Sequence, residues 1–514
     1  AKSQKVDSLP INYFRSPLGI PLYLAGNFGE LRSNHFHSGL DMKTQGREGF
    51  NVYAAADGFV SRIKISTFGN GKAIYITHPN GYTSVYCHLQ KATAEIENYI
   101  KSAHYKEQSF EVELFLKPNE LVVKKGQTIA LSGNTGSSEG PHLHFEFRDS
   151  KTEKIINPLL FGFNKYLSDT KKPLIAAIYV YPVDNKTIVN VSFNKNGIYK
   201  VQSYLNGKPI FGYQFDTYSF DEMRYVNALV DYACYKKTSQ RVQKLFMANP
   251  YKLSIIKTDE SNGVIAVAPN LTSVYRIEVS DFFGNKSTVS VPISYDNSAT
   301  VVEKEAVVSN YFVKVNKDNI FSKNKMTVFF PAGTFFEDFN MNFDVKDDTL
   351  YLHDDSVPVF SSFTISMESD TYSATEKEKV YIADIDSRGR VGYNTTYNKD
   401  NVFTTKVKSL GRYLLKTDTT APTVAITNSI EGKWISNQKV IQLVITDYGS
   451  GIKSYNGYLN GKWILFEYDN KTRKITHNFS DGIVAEGAND LKVVVTDNVG
   501  NSTTFETHFF RSQK

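Results

Sequence analysis

Cysteine is nearly missing: 514 residues contain only Cys87 and Cys234. Two cysteines in separate parts of the chain supply no disulfide framework, so redox chemistry does not reveal the compartment. No apolar run is long enough to span a membrane, which excludes an integral helical membrane protein. No intact signal peptide is read at the start, and Ala1-Lys2-Ser3-Gln4-Lys5 reads as a processed or trimmed one. Charge of one sign is scarce: 59 basic against 53 acidic residues leave +6. That is too little to argue for nucleic acid, and would suit an anionic polymer such as a cell wall. Helical stretches are few. The chain has instead 32 Tyr, 35 Phe and 32 Gly, a composition of mostly β structure. Hydrophobic residues at 41% and charged residues at 22% are ordinary for a globular protein. At about 100–200 residues per domain, the length implies several domains.

One stretch concentrates the chemistry. Gly140-Pro141-His142-Leu143-His144-Phe145-Glu146-Phe147-Arg148 alternates as a β-strand does. Leu143, Phe145 and Phe147 fall on one face; His142, His144, Glu146 and Arg148 fall on the other. Gly133-Asn134-Thr135-Gly136 and Gly140 form a flexible entry loop. Upstream, His37 and Asp41 are four residues apart. That spacing suits one face of a helix or of a strand; Gly39 and the β-prone surroundings favour the extended form. Ala73–Thr77 reads as a strand, Pro79-Asn80-Gly81 as a turn, and Tyr82–Leu89 as the return. There Ser84, Tyr86 and His88 share one face, and Val85, Cys87 and Leu89 the other, so Cys87 is expected in the core. His88 falls at the strand end. The helix-permissive Ala92–Lys106 region is expected to leave the sheet.

Beyond about residue 172 two segments repeat. Tyr204-Leu205-Asn206-Gly207-Lys208 matches Tyr458-Leu459-Asn460-Gly461-Lys462, and Asp281-x-x-Gly284-Asn285 matches Asp497-x-x-Gly500-Asn501. The pattern predicts one β-sandwich module used twice. The first copy carries an extra helical stretch, Val226–Lys237. Between the copies lies a β-rich unit, entered through a linker at 295–300 and left through 417–422. The expected domains are 1–172, 173–296, 297–416 and 417–514. The expected fold class is mainly β: an open antiparallel sheet followed by β-sandwich, Ig-like domains. No constellation of site residues is expected after residue 172, with His353, His477 and His508 read as scattered surface residues. A piece ending near Leu167 is therefore expected to fold and to keep the chemistry.

His37, Asp41 and His144 are candidate ligands of one metal ion. Two imidazoles and a carboxylate suit Zn²⁺ and also Fe(II), and three ligands leave a position open, the catalytic rather than the structural pattern. His88 and His142 are placed to move a proton and to stabilise an oxyanion. The motifs His37-x-x-x-Asp41, Tyr86-Cys87-His88-Leu89 and Gly133-Asn134-Thr135-Gly136 to Gly140-Pro141-His142-Leu143-His144-Phe145-Glu146 resemble the lysostaphin/LytM-type zinc endopeptidases. Asp57-Gly58-x-Val60 and Val123-Lys124-Lys125-Gly126-Gln127 match that family's intervening stretches in the same order. The resemblance covers roughly residues 15–160. It implies one Zn²⁺ held by His37, Asp41 and His144 at the floor of a groove, with His88 and His142 as the catalytic pair. It also implies hydrolysis of peptide bonds in peptidoglycan stems or cross-bridges. His35 lies outside the ligand motif. The excursion after His88 departs from the compact family pattern and puts substrate choice in doubt.

The tail is similar to modules of envelope proteins of Gram-negative bacteria of the Bacteroidetes kind, which implies a periplasmic, cell-surface or secreted location. Two other functions remain open on sequence: a secreted protease acting on proteins, for example Gly-rich ones, and a non-catalytic relative that binds the cell wall and regulates partners.

Overall fold

The computed structural model describes residues 9–183, 186–194, 197–247, 251–295 and 309–512. The start read at residues 1–5, and the expected linker from residue 296 to 300, lie outside the described residues. Where described, the chain is mostly antiparallel β. Its first domain is built on one twisted sheet. Strands follow the order Leu24–Gly26, Leu40–Lys43, His142–Asp149, Tyr82–Cys87, Lys72–Thr77, Gly58–Ile65 and Val112–Phe115. The two-histidine strand is thus central. Its apolar face, Leu143, Phe145 and Phe147, is fully buried against Phe14, Phe161 and Phe163. A second sheet of Asn51–Tyr53, Thr128–Ser132 and Leu89–Ala92 stands at its end.

The chain passes from one sheet to the other at His88. Strict alternation would put His88 on the face of Tyr86, whose ring packs in the core against Phe145. Instead the strand stops at Cys87, and His88 takes a left-handed backbone with φ 59°. Few side chains tolerate that conformation, and it turns His88 toward the face that carries His144. Cys87 is buried as expected, but it pairs with His144 across the ladder and lies on the site's own face.

The expected excursion is a helix, Ala94–Glu107, seated on Ile96, Ile100 and Ala103. Glu95 and Glu97 occupy its first turn and Lys106 its last, matching the helix dipole at both ends. The helical stretch expected at Val226–Lys237 is broken in two. Val226–Leu229 ends at an extended Val230, and Tyr232–Thr238 restarts where the Asp231 side chain caps the N–H of Cys234.

Beyond the first domain the units are built from antiparallel sheets, two each in the second and last units and a further two-stranded one in the third. The sequence repeat is a structural repeat. Asn206-Gly207 and Asn460-Gly461 close equivalent hairpins with both residues at positive φ. In the Asp-x-x-Gly-Asn turns, Asp281 and Asp497 each accept backbone N–H groups from their own turn, while Asn285 and Asn501 reach back to the carbonyls of Asp169 and Asp418. The third unit has two five-stranded sheets around its own core. His477, expected at the surface, is fully buried, its Nδ1–H donating to the carbonyl of Leu465.

A boundary at residue 172 divides the chain but not the core. One continuous hydrophobic cluster runs from Phe14 through Phe163 to Val189, Tyr213, Tyr218 and Ile277. Thr217–Tyr218 pairs with Ile155–Ile156, which pairs with the two-histidine strand, so the second unit adds a strand to the first domain's sheet. Tyr218 is fully buried against Phe28 and Phe36, and its hydroxyl donates to the carbonyl of His37 at 2.6 Å. Phe215 lies where only Gly29 leaves room: a Cβ there would sit 2.4 Å from its ring. A piece ending at Leu167 would expose this apolar underside, contrary to the expectation from sequence. Accordingly, Tyr218→Ala in the full chain should cost about 3–5 kcal/mol, the usual range for removing a buried aromatic. Denaturant unfolding measures it, and a change under about 1 kcal/mol, too small for a cavity of that size, would show that the cores are independent.

Candidate active site

The first domain brings His37, Asp41 and His144 together from separate elements. His144 lies directly opposite Asp41 in the strand pairing, so their side chains share a face. His37 is not in a regular strand. It ends an arm that folds back through backbone bonds with Gly29 and Glu30. His37 Nε2, Asp41 Oδ1 and His144 Nδ1 form a triangle with sides of 3.0, 2.8 and 3.0 Å. Among the described residues this is one of two groups whose donor atoms converge closely enough for a metal ion.

The surroundings decide which ring atoms face inward. His37 Nδ1–H donates to the carbonyl of Asn27 at 2.7 Å. His144 Nε2 is 2.8 Å from Glu146 Oε1, which also accepts from the hydroxyl of Ser38. Arg148 Nε holds the other oxygen of Glu146 at 2.7 Å. Each imidazole therefore turns its other nitrogen, with its lone pair, toward Asp41. Arg32 binds Asp41 Oδ2 at 2.9 Å, leaving Oδ1 for the centre. Gly26 makes that pairing possible, since a Cβ there would lie 2.4 Å from both partners.

Three electron-rich atoms in a buried site repel one another unless they share a positive charge. Burial works against charge on His144, yet its bonds to Asp41 and Glu146 outweigh that and push it up to about 9. Burial also opposes charge on Asp41 and Glu146, and the facing histidines and Arg148 hold both carboxyls well below the usual range. A metal ion meets the same demand. Tetrahedral bonds of about 2.0–2.1 Å span edges of about 3.3 Å, close to the triangle observed. Two imidazoles and a singly engaged carboxylate, each fixed from behind, are a donor set that fits.

His88 and His142 stand beside this centre. Their rings are 4.8 Å apart, and His142 Nε2 is 3.4 Å from Asp41 Oδ1. Both are pinned in the same way: Nδ1–H of His88 donates to the carbonyl of Thr135 at 2.9 Å, and that of His142 to the carbonyl of Gly140 at 2.8 Å. In each ring Nε2 is the nitrogen not used for this pinning. Burial, then the neighbouring His144 and His142, pushes His88 down to about 3, so its ring is neutral near neutral pH. His35 is exposed, and its Nδ1 hydrogen-bonds the side chain of Asn34.

Residues 35–105 and 109–158 match the family model described as Peptidase family M23. The first domain is an M23 peptidase domain. Relatives include an uncharacterized metalloprotease of Haemophilus influenzae, 35% identical over 123 residues, which are 24% of this chain and 20% of the relative. Peptidoglycan DD-endopeptidase ShyC of Vibrio cholerae is 36% identical over 99 residues, 19% of this chain and 17% of its own. The chain thus spans about a fifth of the curated relatives it matches. A zinc-containing peptidase of Vibrio cholerae aligns at 25% identity over 31% of this chain and 40% of that one, with a TM-score of 0.22. Residues 310–418 match a Zu5-like domain.

The residues that orient this M23 centre were less visible in sequence than its candidate ligands. Strand alternation puts Glu146 and Arg148 on the polar face, and the structure makes them the support of His144. The carbonyls of Asn27 and Thr135 carry no side-chain signal. Contrary to expectation, acidic residues also gather beyond residue 172: Asp418, Asp447 and Asp497 approach one another. Backbone N–H groups of Thr420, Ser450, Gly451, Val499 and Asn501 bond these carboxylates. Glu146→Gln should lower metal affinity about 10–100-fold, as loss of an orienting partner does. Competition against a chromophoric chelator measures this, and unchanged affinity would mean that Glu146 does not set the ring.

Proposed function

We propose that this protein is a zinc-dependent endopeptidase that hydrolyses peptide bonds in the stem peptides or cross-links of peptidoglycan, with His37, Asp41 and His144 as ligands. The observation that carries the reading is the convergence of His37 Nε2, Asp41 Oδ1 and His144 Nδ1 beside two further imidazoles pinned through Nδ1. Relatives of the M23 domain named as peptidoglycan DD-endopeptidases support the substrate class. Action on that substrate implies the bacterial envelope as location. Among the described residues no helix is long and apolar enough to cross a membrane.

Zinc held by this triad would polarise the scissile carbonyl and acidify the attacking water. The same donors also bind iron(II); two proton-carrying imidazoles next to the centre suit hydrolysis. His142 is placed to take the proton of the attacking water, its Nε2 lying 3.4 Å from Asp41 beside the centre. His88, held down to about 3, stays neutral and orients the reacting groups through Nε2. Once protonated, His142 returns the proton to the leaving amine.

The two histidines of the central strand separate under mutation. His144→Ala removes a ligand and should abolish stoichiometric zinc. His142→Ala should retain zinc and lose about 10²–10⁴ in the rate of peptide hydrolysis, the usual worth of a positioned acid or base. Zinc content and turnover of a short stem peptide by both variants test this. Zinc loss in His142→Ala, or its near-normal turnover, contradicts the assignment; hydrolysis of casein or elastin but not of sacculi contradicts the substrate class.

A further inference from the structure

The last β unit is fastened to the first domain beside the active site. Lys72 pairs with Glu467 at 2.7 Å, and Lys101 donates to the carbonyl of Asp481 at 3.1 Å. On the helix Ala94–Glu107, Tyr105 bonds Asp481 through its hydroxyl and sets its ring edge-on to Trp463, with centroids 5.3 Å apart. Lys471 reaches the carbonyl of Asn134 in the loop that carries Thr135. These contacts hold open a cleft of about 670 Å³ between the two units.

The lining of this cleft has a distinct chemistry. Phe68 on one lip and Tyr448 on the other are 62% and 85% exposed, a costly arrangement for large rings with nothing to cover. Arg473 lies over the Tyr448 ring at 5.8 Å. Tyr455 and Tyr468 form the floor, their rings 5.5 Å apart, with Asn456 and Asn470 beside them. The lining charges balance: Glu111 and Asp447 against Lys453 and Arg473. Flat apolar faces, amides and no net charge select a neutral ligand that has both flat apolar faces and many hydroxyl or amide groups. A sugar ring has that chemistry; a nucleic acid or a phosphate does not.

The cleft also adjoins the catalytic groups. Phe68 belongs to the turn whose Asn70 carbonyl accepts the backbone N–H of His88 at 2.9 Å. A Cβ on Gly71, the next residue, would lie 2.5 Å from Thr135, the residue that pins the His88 ring. A polymer laid across the site can therefore continue into the cleft.

We propose that this cleft binds the glycan part of a peptide-bearing polysaccharide, stacking N-acetylhexosamine rings on Phe68 and Tyr448. The proposal rests on the peptidoglycan reading above and names the part of that substrate held outside the catalytic centre. The probe is a β-1,4-linked tetramer of N-acetylglucosamine, titrated calorimetrically into the full chain, together with Phe68→Ala and Tyr448→Ala variants. Both rings are exposed, and thermal unfolding checks that the variants remain folded. The wild type should bind the tetramer, and each variant should bind it about tenfold more weakly, as loss of a stacked ring implies. Each should also digest intact sacculi more slowly while cleaving a short sugar-free stem peptide at the wild-type rate. No binding by the wild type, or equal binding by both variants, overturns the proposal. Tetramer binding that the variants weaken, in a protein that cleaves no peptide, would sustain the cleft and defeat the peptidase reading.

Discussion

Two hydrogen bonds made behind the centre govern what its front can hold. The carbonyl of Asn27 takes the Nδ1–H of His37, and the carboxylate of Glu146 takes the Nε2–H of His144, so both rings point lone pairs at the same carboxylate oxygen of Asp41. A cation, or a proton held on His144, relieves the repulsion at the front. Glu146 is itself fixed by Ser38 and Arg148, whose guanidinium lies 4.5 Å from the ring of Phe220 in the second unit. The support behind His144 thus extends to a residue of the second unit.

The second unit supports the site from below as well. Tyr218 bonds the carbonyl of His37 itself, and Phe215 packs against Gly29 on the same arm. A candidate ligand carried by an irregular arm needs such buttressing, because no ladder fixes its backbone, whereas Asp41 and His144 are held by strand pairing. The last unit acts from the side, through the helix that follows His88 and the loop around Asn134. The later modules thus touch the surroundings of the candidate site both from below and from the side.

Much of this was legible in the sequence, for a physical reason. A strand repeats every two residues, so His142, His144 and Glu146 declared a shared face, and Leu143, Phe145 and Phe147 a buried one. The Asn-Gly and Asp-x-x-Gly-Asn turns marked the repeated module because local backbone geometry demands those residues. His88 broke the rule: its left-handed backbone interrupts the alternation that would have turned it into the core. Long-range packing was not legible. Neither Tyr218 under His37 nor His477 in the last core carries a local signal, and the apolar pattern of a strand does not name the surface it covers.

The central claim is that zinc is bound by two imidazoles and one carboxylate within the first domain. Zinc K-edge X-ray absorption on the protein tests it directly. The account predicts one zinc per chain with a first shell of nitrogen and oxygen at about 2.0–2.1 Å and outer-shell scattering from two imidazole rings. Sulfur at about 2.3 Å, or a shell of oxygen alone, would contradict it.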